Sequence, residues 1–157
     1  MIMTDGEFLD FVYKWASGNL VNLGRVWPLE GGWEAWAQAE IAAYINGVDP
    51  TYSVEREALA YGDGRRADLL LNKGASLQSQ DWIVVELKCQ SIPSARTFVS
   101  GLNNDYYKLQ EVSPTYTKSQ KLTLGIFIDG GTEQTLNQQG YKTRSVNDEV
   151  GLAWYRV

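Results

Sequence analysis

The first third of the chain carries apolar residues at the three- and four-residue spacing of amphipathic helices. This spacing predicts one helix over residues 7–17, which Gly18 can end, and a second helix over residues 33–44. Glu40 lies inside the apolar stripe of the second helix instead of on its polar side. Pro50 and the polar residues before it are expected to end the helical part of the chain.

After Pro50, apolar and polar residues alternate with the two-residue period of β-strands. This alternation predicts three successive strands, of which the third is rich enough in Ile and Val to be a central strand. The three strands cover residues 52–61, 66–72 and 82–90. The elements predicted to follow are a helix over residues 94–110, a strand over 122–129, a helix over 132–139 and a strand over 151–157.

This order of elements predicts an α/β fold in which a mixed central β-sheet is flanked by helices. Strands linked by hairpins, followed by a crossover helix, place antiparallel and parallel pairs in the same sheet. No repeat, low-complexity tract or linker divides the 157 residues. We therefore expect a single domain over residues 1–157.

The composition is that of a folded domain, with 44% hydrophobic and 21% charged residues. Cys89 is the one cysteine, so an internal disulfide cannot form. No basic start precedes an apolar run, and no apolar stretch approaches the roughly 18 residues of a membrane span. We therefore expect a protein that has no membrane partner and acts in the cytoplasm.

The charged residues and the absence of histidine limit the possible chemistry. The net charge is −5, with 19 acidic and 14 basic residues, which argues against holding nucleic acid mainly by bulk electrostatics. Because the chain has no His, Ser-His-Asp catalysis, His-ligated zinc and a histidine general base are excluded. A single Cys also excludes a thiolate zinc cage. Catalysis would have to use carboxylates, Lys, Tyr, hydroxyl groups or hard metal ions held by oxygen.

The second and third strands carry the residues that suit such chemistry. Strand alternation puts Glu86, Lys88 and Gln90 on one face of the third strand, and Asp68 lies on the strand before it. If these two strands pair, Asp68 and Glu86 become close neighbours. Two like charges about 4 Å apart repel by roughly 4 kcal/mol at an effective dielectric of 20. Such a pair is tolerated when a cation lies between the carboxylates or when one of them is protonated, which makes it a candidate divalent-metal site.

These residues also form a recognisable motif. The segments Gly64-Arg65-Arg66-Ala67-Asp68 and Glu86-Leu87-Lys88-Cys89-Gln90 resemble the signature of the PD-(D/E)XK nuclease superfamily. Ala67 stands where the motif has Pro. The predicted αβββαβ order over residues 33–129, with one extra N-terminal helix, also resembles the core of that superfamily, the restriction-endonuclease-like fold.

The resemblance implies a role for each residue that matches the motif. Asp68 and Glu86 resemble the metal ligands, and Lys88 resembles the catalytic lysine. Glu40 resembles an acid that many members present from the first core helix, where it assists metal binding. Gln90 resembles a glutamine that follows the lysine in some branches. The implied enzyme is a nuclease that hydrolyses phosphodiester bonds in DNA or RNA with Mg²⁺ or Mn²⁺, ions that oxygen ligands favour.

Two further groups lie near the motif in the predicted fold. Arg56, Arg65 and Arg66 form a local basic group that could hold the phosphates of a nucleic acid. Asp105 and Lys108, on the predicted crossover helix, resemble a helix pattern found in certain branches of the superfamily. The small size of the chain suits a toxin domain of interbacterial competition, or a phage or mobile-element enzyme.

Each of these residues also has a structural interpretation. Glu86 and Lys88 could form an ion pair at the end of a sheet, and the arginines could balance charge on an acidic protein. Glu40 could be a hydrogen-bonded buried acid, and Gln90 a solvated strand end. The pI near 4.7 suits a basic protein partner, so a non-catalytic acidic protein of the immunity or inhibitor type is the second hypothesis. The third is an accessory subunit whose partner supplies the grip on nucleic acid.

Overall fold

The computed structural model describes all 157 residues and contains five α-helices and six β-strands. The helices are α1 (Asp5–Ser17), α2 (Leu20–Val26), α3 (Glu34–Val48), α4 (Phe98–Leu109) and α5 (Gly130–Gln138). The strands are β1 (Val54–Ala58), β2 (Ala67–Leu71), β3 (Ile83–Cys89), β4 (Gln120–Phe127), β5 (Lys142–Ser145) and β6 (Gly151–Arg156). Two 3₁₀ turns, Ala95–Thr97 and Pro114–Tyr116, flank α4. None of the helices has the length and apolar composition that would let it cross a membrane.

The strands form one mixed sheet in the order β1-β2-β3-β4-β6-β5. The first three are antiparallel neighbours, while β3 and β4 are parallel because α4 carries the chain back across the sheet between them. The last strand, β6, lies between β4 and β5 and is antiparallel to both. The prediction of an α/β fold with a mixed sheet flanked by helices is confirmed.

The alternation of side chains along β3 separates an apolar face from a polar one. Val85, Leu87 and Cys89 belong to the main core, which packs α1 and α3 against one side of the sheet. Glu86 and Lys88 point to the opposite side, which α4 covers. The candidate chemistry therefore lies between the sheet and the crossover helix, away from the largest core.

Local signals in the sequence account for several element boundaries. The first helix begins with a capping box, in which Thr4 accepts from the Glu7 backbone and Glu7 accepts from the Thr4 backbone. That helix ends at Gly18, as predicted. The first strand ends earlier than its apolar pattern suggests. Glu57, near its end, adopts a φ of 52°, a left-handed conformation that interrupts extended backbone.

Two elements lie outside the sequence prediction. The seven-residue helix α2 has no side-chain hydrogen bond at its N-cap Asn19, and it is too short to show a helical period. The edge strand β5 has the sequence Lys-Thr-Arg-Ser, without alternating apolar residues. Its place in the sheet comes from backbone pairing with β6, which local sequence does not encode.

Candidate active site

Asp68 and Glu86 are brought together where β2 and β3 stop pairing. The antiparallel ladder runs from Leu71↔Ile83 to Leu69↔Val85, and one further step of this register sets Asp68 opposite Glu86. Backbone pairing does not continue to that step. The Asp68 carboxylate takes the place of a ladder partner, because its Oδ2 accepts a hydrogen bond of 2.6 Å from the Leu87 N–H. The predicted proximity of the two acids is therefore a feature of the structure.

Glu86 is buried, with 2% of its surface exposed, and it is held by two donors. Its Oε1 accepts hydrogen bonds from the Tyr61 hydroxyl at 2.7 Å and from the Lys108 Nζ at 2.9 Å. Burial raises the pKa of Glu86, whereas the Lys108 ammonium and the Tyr61 hydroxyl act in the opposite direction. A buried carboxylate needs such partners, because an unpaired charge in the interior is costly.

The Asp68 carboxyl is poised to change its protonation state near neutral pH. Burial raises the pKa of Asp68 to about 7, and the negative charge of Glu86 acts in the same direction. The hydrogen bond from Leu87 and the charge of Lys108 oppose the rise. The two acids thus repel one another in a partly dehydrated site, which is the condition that a bound cation relieves.

Lys88 extends along the same face of β3 towards α4. Its side chain lies against Gly101, where an added Cβ would stand 3.2 Å from the Lys88 Cε. Its Nζ is 3.7 Å from the Oδ2 of Asp105, so the two form an ion pair that is too long for a hydrogen bond. The side chain of Lys88 is 33% exposed, which leaves its ammonium accessible to a ligand.

Asp105 adds a third carboxyl beneath α4. Burial raises the pKa of Asp105 to about 6, with Lys88 acting against the rise and Asp68 adding to it. Its Oδ2 is buried and has no hydrogen-bond partner in the protein. Asp105 in turn adds to the rise in the pKa of Glu86, so the three acids share one electrostatic environment.

Lys108 ties α4 to the two strands. Besides Glu86, its Nζ donates to the Arg66 carbonyl oxygen at 2.9 Å and lies 5.0 Å from the centre of the Tyr61 ring. In the sequence, Asp105 and Lys108 are indicated by their resemblance to a helix pattern of certain branches of the superfamily. Tyr61 was not predicted as a site residue, because it ends a stretch read as strand and no local pattern marks it.

The structure does not bring Gln90 into contact with solvent or with the acid pair. Gln90 is fully buried, its Nε2 donates to Thr132 Oγ1 at 2.9 Å, and its Oε1 accepts from the Ile128 N–H at 3.0 Å. These bonds join the end of β3 to the end of β4 and the start of α5. Gln90 is thus not a solvated strand end but a buried link between elements, away from the acid pair.

Glu40 lies on the other side of the sheet from the acid pair. It is on α3, which packs against the face that carries Leu87, and it accepts a hydrogen bond of 3.5 Å from the Trp15 Nε1. The structure therefore does not place Glu40 with the predicted metal ligands. The carboxylate of this helix that does reach β3 is Glu34, whose Oε1 accepts from the Cys89 N–H at 3.4 Å. Glu34 lies within the predicted helix but off its apolar stripe, so the helical pattern did not single it out.

The three predicted phosphate-binding arginines are divided between two faces. Arg56 donates to the Ala35 carbonyl oxygen at 3.1 Å and so lies on the α3 side. Arg65 and Arg66 lie beside the acid pair. Arg65 is paired with two acids, Asp63 at 2.8 Å and Glu111 at 2.7 Å. Arg66 donates to the Glu57 carbonyl oxygen at 2.8 Å and has no carboxylate partner. Arg66 is thus the arginine most available to a phosphate.

The donor set at the site fits a small, hard divalent cation bound by two carboxylates. No group of three acidic or cysteine side chains converges closely enough to hold a metal. Mg²⁺ nevertheless is commonly bound through one or two carboxylates, with the remaining positions taken by water and substrate phosphate. Asp68 and Glu86 each use one oxygen in the hydrogen bonds above, which leaves the second oxygen of each for a ligand. No family model, curated protein or solved structure matches this chain.

Proposed function

We propose that the chain is a nuclease that uses a divalent metal ion to hydrolyse phosphodiester bonds in DNA or RNA. The observation that carries the proposal is the proximity of Asp68 and Glu86 across β2 and β3, with Lys88 on the same face. The element order from α3 to β4 also resembles the core of the restriction-endonuclease-like fold, and we propose that the chain has this fold.

The proposed cofactor is Mg²⁺ or Mn²⁺, held by Asp68 and Glu86. When bound, such an ion polarises a phosphodiester and stabilises the negative charge that develops during hydrolysis. The protein keeps both ligands in place through its own hydrogen bonds. The Leu87 N–H fixes Asp68, and Tyr61 and Lys108 together fix Glu86.

Lys88 is the residue that we propose for charge stabilisation at the reacting phosphate. Its side chain is a third exposed and shares a face with Glu86, and its ammonium is only loosely paired with Asp105 at 3.7 Å. A fixed ammonium close to a phosphate that gains negative charge lowers the barrier more in a partly dehydrated site than in water. Asp105 is a positioning residue in this scheme, because it holds Lys88 without reaching the substrate.

The substrate phosphates would approach from the side where Arg66 lies. Arg66 has no carboxylate partner, whereas the guanidinium of Arg65 is shared between Asp63 and Glu111. Arg56 is excluded from this role by its position on the α3 side. The proposed contact between protein and nucleic acid is therefore small, and positioning depends on the few cations around the acid pair.

A second candidate function has one specific observation in its favour. Glu86 is already neutralised by Lys108, so the acid pair persists in a folded protein without a metal ion. Together with the net charge of −5, this suits a non-catalytic acidic protein of the immunity or inhibitor type that binds a basic protein. The two functions differ in metal binding and in cleavage, so one set of assays separates them.

The test is cleavage of DNA and RNA, in single- and double-stranded form, with Mg²⁺, with Mn²⁺ and with a chelator. We expect metal-dependent products from the wild type and a loss of about 100-fold or more in Lys88→Ala, as is typical when a charge-stabilising group is removed. Lys73→Ala removes an exposed lysine far from the site and is the matched control. Cleavage that survives in Lys88→Ala, or no cleavage of any substrate, would overturn the proposal.

A further inference from the structure

A pocket of about 300 Å³ lies on the far side of α4 from the acid pair. This tyrosine pocket is lined by Asn103, Tyr106, Tyr107, Gln139, Tyr141 and Tyr155. Four of its six lining residues are thus tyrosines. A cavity of this size is at the lower end of the range for small-ligand sites, which suits one planar group rather than an extended molecule.

The tyrosine rings of the pocket pack edge to face against one another. Tyr106 meets Tyr155 edge to face, with centroids 5.4 Å apart, and meets Tyr107 in the same way at 5.3 Å. Tyr141 and Tyr155 repeat this geometry at 5.6 Å. No two rings of the pocket stack in parallel. Tyr107 is 64% exposed, more than the other three tyrosines, so its ring is the one most accessible to a planar group.

The polar side of the pocket is a fixed pair of amides. The Tyr141 hydroxyl donates to Asn103 Oδ1 at 2.9 Å, and Asn103 Nδ2 donates to Gln139 Oε1 at 2.8 Å. This chain of bonds orients the Gln139 amide and leaves its NH₂ group without a protein acceptor. Aromatic faces beside oriented amide groups are the combination by which proteins hold single nucleobases, through stacking and through contacts to the base edges.

The surface between the acid pair and the tyrosine pocket carries no charge. The exposed residues along α4 are Ser100, Asn104 and Tyr107, so a polyanion can cross the helix without meeting an acid. Asp105 and Lys108 point to the acid pair on one side, while Tyr106 and Tyr107 face the pocket. The acid pair and the tyrosine pocket lie on opposite sides of α4, so they are about one helix diameter apart, roughly 10 Å. At about 3.4 Å per stacked nucleotide, a strand of only a few nucleotides covers this distance.

We propose that the tyrosine pocket holds an unpaired nucleobase of the strand whose phosphate lies at Lys88. The substrate class is accordingly single-stranded or locally unpaired nucleic acid, because bases inside a duplex cannot enter such a pocket without being extruded. This inference rests on the proposed nuclease function and deepens it. Both DNA and RNA bases have the faces and edges that the pocket recognises.

The test measures binding and cleavage of short oligonucleotides with and without bases. Binding uses the Asp68→Asn protein, which keeps the pocket and should not cleave, with an oligothymidylate, an oligouridylate and an abasic strand of the same length. We expect the abasic strand to bind about ten-fold more weakly than the oligothymidylate. Tyr107→Ala should weaken binding of the oligothymidylate by a similar factor, and Tyr107→Phe should restore it. The amide contact is tested by Gln139→Ala, with the neighbouring exposed Gln138→Ala as its control.

The failure of this inference differs from the failure of the nuclease proposal. If the wild type cleaves nucleic acid but the abasic strand binds as tightly as the oligothymidylate, the pocket does not hold a base and only this inference is overturned. If the wild type cleaves duplex preferentially and Tyr107→Ala does not change this cleavage, again only this inference is overturned. If no strand is cleaved by the wild type in Mg²⁺ or Mn²⁺, the nuclease proposal itself fails, and this inference fails with it. Comparison of the oligouridylate with an oligodeoxyuridylate of the same length, which has the same base on a different sugar, assigns the sugar type.

Discussion

At the scale of single residues, the site is a balance between acids that repel and lysines that neutralise them. Asp68, Glu86 and Asp105 all have raised pKa values, and burial is the largest cause for each. Lys108 and Lys88 offset part of this cost from α4 and β3. The surrounding fold holds these buried charges in place at a cost in stability. Raised pKa values of this kind are concentrated at functional sites.

The Asp68 carboxyl should make stability depend on pH in a definite direction. Its pKa is about 7 in the folded chain and near 3.8 when unperturbed, so the folded state binds the proton more tightly between these values. Raising the pH through this window therefore lowers the free energy of unfolding. In chelator, Asp68→Asn should become more stable than the wild type by roughly 1–2 kcal/mol as the pH rises from about 4 to about 8.

Chemical denaturation at several pH values measures this effect. Asp81→Asn, an exposed acid at the other end of β3, is the control and should follow the wild-type curve. If the free energy of unfolding changed with pH in the same way for Asp68→Asn and the wild type, the environment described for Asp68 would be contradicted.

At the scale of elements, the crossover helix α4 brings the lysine partners and the third acid to the sheet. Gly125 on β4 allows this approach, because a Cβ there would stand 2.9 Å from Leu102 and Phe98 side-chain atoms of α4. Gly101, on the helix itself, leaves the space that the Lys88 side chain occupies. The two glycines thus have different tasks, one in packing the helix and one in placing a site residue.

Substitution of Gly101 should separate activity from stability. Alanine favours a helix interior by about 1 kcal/mol over glycine, so Gly101→Ala should fold at least as well as the wild type. The new methyl group would stand 3.2 Å from Lys88 Cε and displace the ammonium by a few tenths of an ångström. We expect cleavage to fall about ten-fold at an unchanged or higher Tm. A variant with full activity, measured beside Tm, would show that the position of Lys88 is not critical.

How far the sequence predicts the molecule differs between its elements. The strands and helices with strong periodicity were predictable, and so was the pair Asp68 and Glu86, because strand alternation and hairpin pairing are local properties. Tyr61 and Glu34 could not be identified, since their contacts with β3 depend on how distant segments pack. Glu40 and Gln90 matched a motif by position, but tertiary packing places one across the sheet and buries the other.

At the scale of the whole molecule, the proposed contact with nucleic acid is confined to a small area of an acidic protein. The net charge is −5, and many basic side chains are already paired, among them Arg65, Arg144 and Arg156. The basic side chains around the acid pair that could contact phosphates are those of Lys88, Lys108 and Arg66. Binding should therefore rely on bases as well as on charge.

The salt dependence of binding should reflect this small number of cations. For two or three phosphate contacts on a single strand, the logarithm of the association constant should fall with the logarithm of salt concentration with a slope of about −2. Titrations of Asp68→Asn with a labelled oligonucleotide at several salt concentrations give the slope. A slope steeper than about −4 would require a further basic surface and would contradict the small contact described above.

The measurement that tests the central claim most directly is calorimetric titration of Mn²⁺ into the wild type, Asp68→Asn and the control Asp81→Asn. Asp68 and Glu86 are expected to hold one ion, so binding should be present in the wild type and in Asp81→Asn and absent in Asp68→Asn. No binding by the wild type, or equal binding by all three proteins, would contradict a divalent-metal site between β2 and β3.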